Sequence, residues 1–154
     1  MRFPFQDYEI PASPIDGATV IFRPEIPLHL IGETGDLYLM GLLDTGADGV
    51  VMSRAVADDI GVCLIEGSRW SLGGLGNHRH EAMLGHVDVE LLEGSESSCW
   101  RMPVGVVDVD DPEQNYLILL GWTGFLEHFD LTFLGQRRCV ELHQSRQLLT
   151  ETLS

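Results

Sequence analysis

The sequence predicts an all-β fold of one lobe with one or two short helices, and three observations carry that prediction. Apolar residues fall in short runs that alternate with polar ones at strand spacing rather than at helical spacing. Gly, Pro, Asn and Asp interrupt those runs at short intervals, as turns between strands do. The 154 residues suit a single domain, long enough to build its own core without metals or disulfides.

In chain order, residues 1–18 read as an extended N-terminal arm, because Pro4, Pro11 and Pro14 cannot sustain a helix. The domain proper is expected over 19–143, beginning with strands at Thr19 to Phe22, Ile26 to Ile31 and Leu37 to Leu43. Gly32, Gly35 and Asp36 turn the last two into a hairpin. Ser53 followed by residues 54–60 and Gly61 predicts a short helix with an N-cap and a glycine stop. Arg69 to Leu72 and Glu81 to Leu92 form the arms of a long hairpin, and the polar stretch 93–98 turns the chain into a strand at Trp100 to Val107. Asp108 to Asn115 is a solvated acidic loop without the ligand spacing of a calcium loop. A buried strand at Tyr116 to Leu120, a short helix at Trp122 to His128 and a closing hairpin of 131–134 with 139–142 follow. Residues 144–154 read as a loose tail.

Composition excludes several classes. A formal net charge of −15, with no Lys and nine Arg, repels phosphate backbones and anionic lipid surfaces, so neither nucleic acid nor a membrane is an expected partner. No apolar run has the length of a membrane span, and Met1 to Asp7 lacks the apolar stretch of a secretory signal, which makes the expected compartment cytoplasmic. Cys63, Cys99 and Cys139 are odd in number and widely spaced, and read as buried free thiols rather than a disulfide framework or a zinc site. No metal and no cofactor are expected.

The chemistry concentrates at Leu42-Leu43-Asp44-Thr45-Gly46-Ala47-Asp48, an apolar strand that ends in an acid, a hydroxyl and a glycine. A carboxylate at the mouth of a buried strand is costly unless something uses it. Alone, Asp-Thr-Gly also fits a plain strand-to-turn exit. Two further features follow it in a telling order. Ser71-Leu72-Gly73-Gly74-Leu75-Gly76-Asn77 tips the long hairpin with glycines that permit closure over an extended peptide. It fails as a phosphate loop, because no Gly-Lys-Ser/Thr follows. Leu117 to Gly121 is a wholly apolar strand closed by glycine.

Together with Arg23-Pro24 before the first core strand, these segments resemble the retropepsin family, the aspartic peptidases of retroviruses and their cellular and bacterial relatives. The resemblance runs from about Arg23 to Phe133. It implies a retropepsin-like acid-protease barrel, one lobe per chain, acting on a polypeptide substrate. By similarity, Asp44 is the catalytic acid, Thr45 braces the pair across a twofold axis and Gly46 permits close approach of the substrate backbone. Ala47, Asp48, Gly73, Gly74, Leu75 and Gly76 then stand as substrate-binding residues. Where viral members often carry an Arg after the strand-ending glycine, this chain has Trp122, leaving Arg54 or Arg69 as the candidate partner for Asp48.

Peptide hydrolysis by carboxyl groups needs two of them, one ionised to activate water and one protonated to polarise the carbonyl. Asp-Thr-Gly occurs once and Asp-Ser-Gly never. A homodimer supplying Asp44 twice is therefore the expected active species. Two other readings compete with it. One is a non-catalytic dimeric peptide-binding module of the same fold, and the other a metal site at His78, His80 and His86, which lacks a Cys or spaced carboxylate to complete it.

Overall fold

Strict alternation decides the first core strand: Ile26, Leu28 and Leu30 are almost wholly buried, while Pro27 and Ile31 face outward. In the computed structural model, which describes residues 1–73, 79–110 and 116–145, this is β4 (Glu25–Ile31). It follows three short strands, β1 (Arg2–Pro4), β2 (Gln6–Glu9) and β3 (Val20–Arg23), and precedes β5 (Asp36–Leu43) and β6 (Val51–Ser53). The single α-helix among the described residues, α1 (Arg54–Ile60), begins after Ser53 in extended conformation. It ends at Gly61, whose φ of 70° suits glycine and whose N–H donates to the Ala57 carbonyl. Then come β7 (Cys63–Leu64), β8 (Trp70–Gly73), β9 (Arg79–Glu93), β10 (Glu96–Val107), β11 (Ile118–Leu120), β12 (Phe129–Leu134) and β13 (Cys139–Gln144).

Six strands close into a barrel in the order β10-β6-β11-β5-β4-β9, with β9 pairing back to β10. Closure leaves no open edge within the ring, and its interior is filled by Ile26, Leu28, Leu30, Met52, Val89 and Leu120 among others. Two of the contacts are parallel, β10 with β6 and β11 with β5. The β7 and β8 strands add to β9, and β1-β13-β12 form a separate three-stranded sheet. The all-β class, the single lobe and the short helix agree with the sequence.

Four expectations are refined. The N-terminal residues, expected as an extended arm, are engaged: β1 pairs with β13, β2 pairs with β3, and Phe3 is buried in the core. The helix expected over Trp122 to His128 is only a 3-10 turn at Leu126–His128. Residues 122 and 123 instead make backbone bonds to another loop, and Gly124, at φ 100°, breaks any helical run. Only Gly94 and Ser95 form the turn between β9 and β10, because the polar residues beyond them find ladder partners. The three cysteines are free, but only Cys139 is buried, Cys63 and Cys99 being exposed. The tail from residue 146 lies outside the described residues.

Candidate active site

The site is built where two parallel strands end side by side. In the β5–β11 ladder Leu42 faces Leu119 and Leu43 faces Leu120, and the next backbone N–H, that of Asp44, donates to the Leu120 carbonyl at 3.1 Å. On its other side β5 is held by Leu43 N–H donating to the Pro24 carbonyl at 3.0 Å. Asp44 therefore leaves the barrel from a backbone fixed on both flanks.

Beyond the strand ends the two exit loops run against each other. Trp122 N–H donates to Ala47 O at 3.0 Å, Thr123 N–H to Asp48 O at 2.9 Å and Val50 N–H to Thr123 O at 3.1 Å, with a parallel bridge between Gly49 and Thr123. The approach is too close for side chains at the crossing, which accounts for Gly121.

Within this frame residues 44–47 make a tight turn. Ala47 N–H donates to Asp44 O at 3.2 Å, and Gly46 N–H donates to the Asp44 carboxylate at Oδ1, 2.9 Å away. A backbone donor at that place orients the carboxylate. Asp44 and Ala47 are half-buried, whereas Thr45, Gly46 and Asp48 are exposed. The structure thus brings Asp44, Thr45, Gly46, Ala47 and Asp48 onto one turn. Gly73 ends β8 opposite Arg79; Gly74, Leu75 and Gly76 lie outside the described residues.

Two tryptophans tie other segments to this turn. The Trp70 indole, at the start of β8, lies over two glycines: a Cβ on Gly49 would sit 2.9 Å from its Cη2 and one on Gly105 2.8 Å from its Cε3. The base of the long hairpin rests on the loop that follows Asp48. Trp122, half exposed at 52%, donates its indole N–H to Thr45 O at 2.9 Å. Neither expected partner of Asp48 reaches it. Arg54 pairs with Asp108 at 3.2 Å and Arg69 with Glu81 at 2.8 Å, because β6–β10 and β8–β9 pairing bring those acids closer.

A second carboxyl lies near the Pro24 flank. Glu25 is buried, accepts a hydrogen bond from the Tyr8 hydroxyl and lies 4.0 Å from the Arg23 guanidinium. The bond to Glu25, then burial, raises the Tyr8 phenol above its ordinary pKa. Sequence reasoning missed the contacts of Trp70 with the loop after Asp48 and of Trp122 with the turn, and the Tyr8–Glu25 pair beside β5. The one available signal was the glycines at 49, 105 and 121, each of which makes room for something.

A cavity of about 180 Å³ lined by Glu33, Cys63, His86, Asp88 and Arg101, among others, contains none of the candidate peptidase residues and, of the three histidines in the metal reading, only His86. Among the described residues no group of three or more His, Cys, Asp or Glu is placed to hold a metal ion; His78 lies outside them. No described helix is long and apolar enough to cross a membrane.

No protein-family model and no curated protein matches the chain. Among solved structures it is similar to EIAV protease complexed with the inhibitor HBY-793, at 25% identity over 64% of this chain and 81% of that one, with a TM-score of 0.40.

Proposed function

We propose that the chain is an aspartic endopeptidase active as a homodimer, with one Asp44 from each copy forming the catalytic pair. The observation that carries this reading is the Asp44 turn: a carboxylate at the end of a barrel strand, its backbone clamped by Pro24 and Leu120 and its Oδ1 held by Gly46 N–H. Rigid placement of the acid is what proton transfer demands. The turn stands on an open surface, as half of a shared cleft would.

In the proposed reaction one Asp44 is ionised and the other protonated, since two close carboxyls do not both ionise readily. The ionised one takes a proton from water, whose oxygen attacks the scissile carbonyl carbon, while the protonated one donates to the carbonyl oxygen. Collapse of the tetrahedral species breaks the C–N bond: the leaving nitrogen takes a proton from one Asp44 while a hydroxyl of the tetrahedral species returns its proton to the other, restoring the singly protonated pair. The products are a carboxylic acid and an amine, with no covalent enzyme intermediate. Thr45 braces the two turns, and Asp48 with residues 73–76 binds the peptide backbone.

A peptide library digested by the purified chain and by Asp44→Asn tests the reading. Cleavage by the first and none by the second is expected, with the fold unchanged. Peptides bound but left whole by the natural chain would assign it to the binding-module class instead.

A further inference from the structure

We infer that Trp122 is a positioning residue for Asp44 that acts through a single peptide group. The Thr45–Gly46 peptide is engaged at both ends: its carbonyl accepts from the Trp122 indole N–H at 2.9 Å, and its N–H donates to Asp44 Oδ1 at 2.9 Å. Donation to the carbonyl polarises the amide and strengthens the bond its N–H makes, so the two bonds reinforce each other. The backbone of Trp122 is anchored to the same turn, its N–H donating to Ala47 O at 3.0 Å. One residue thus holds the carbonyls on either side of Gly46 and sets the plane of the peptide that aims at the acid.

This role also accounts for the residue type. A half-exposed indole gains little from burial, and among apolar side chains of that reach only Trp carries an N–H donor. A pairing side chain for Asp48 is not what this position provides; the contact is to the turn itself. The kinetic consequence rests on the peptidase reading, whereas the structural one does not.

The test is Trp122→Phe, which keeps a ring and the backbone bond but removes the donor. Amide hydrogen exchange by NMR reads Gly46, and steady-state cleavage reads kcat and KM separately, with sedimentation run on both chains. Loss of one hydrogen bond should speed Gly46 exchange about fivefold while barrel amides such as Leu28 keep their rates. It should also lower kcat about fivefold at constant KM and unchanged assembly state. Unchanged Gly46 exchange overturns the inference whatever the kinetics. Faster exchange with unchanged kcat overturns its bearing on catalysis. If the natural chain cleaves no peptide, the peptidase reading fails, while Gly46 exchange still decides whether Trp122 holds the turn.

Discussion

Gly121 faces the carbonyl oxygen of Gly49 so closely that a Cβ at position 121 would lie 2.2 Å from it, and 2.7 Å from Ala47 O. Both obstacles are backbone, so no rotamer change can relieve the clash. The loop crossing that frames Asp44 therefore depends on glycine at 121 for space, not for a left-handed φ.

Gly121→Ala should part the two loops. The expected cost is about 3 kcal/mol, at the upper end for overpacking, read as a lower urea midpoint, with peptide cleavage lost. Gly135→Ala provides the contrast, since nothing lies within 4 Å of its Cβ position. It should change stability by no more than about 0.5 kcal/mol.

A different part of the barrel responds to pH. His29 lies between two carboxylates, Nδ1 at 3.0 Å from Glu90 and Nε2 at 2.8 Å from Asp36, with its ring stacked on Tyr38 at 4.0 Å. Its pKa is raised above 6.5, first by the bond to Glu90 and then by that to Asp36. A raised folded-state pKa means that the stabilisation is fully present below the unfolded value and is lost as pH rises through the folded one. Thermal melts of the natural chain and His29→Gln should differ most near pH 5 and converge above neutrality. A gap that widens with pH would contradict the clasp.

Phe3 makes the N-terminal strand part of the core, being 4% exposed and packed into the main apolar cluster. Phe3→Ala should cost about 3–5 kcal/mol by loss of transfer energy and creation of a cavity. Protease nicking within residues 1–5 should then precede global unfolding, because beyond Phe3 the segment is held by three residue pairs with β13, the exposed Arg2–Glu141 ion pair and backbone bonds at Met1 and Phe5.

Local signals in the sequence carried the elements well and the site half-way. The alternation of Ile26, Leu28 and Leu30, the Ser53 and Gly61 ends of α1 and the acid closing β5 are all decided by neighbours in the chain. The contact of Trp122 with Thr45, 77 residues away, is decided by barrel closure and left no local trace. Trp70 over Gly49 and Gly105 likewise requires β8 to fold back on β9, and only the two glycines hinted at it. Residues 122–128 illustrate the cost of local reasoning: their composition suits a helix, but the backbone of 122 and 123 is engaged by the loop after Asp44.

The central claim, that two copies of Asp44 make one active pair, is tested most directly by subunit mixing. Natural chain is combined with increasing Asp44→Asn chain under conditions of exchange, and peptide cleavage is measured at constant total protein. If two acids are required, activity follows the square of the natural chain's share, because mixed dimers are dead. Activity proportional to that share, at concentrations where sedimentation shows dimers and exchange is verified, would mean that each Asp44 works alone and would contradict the account.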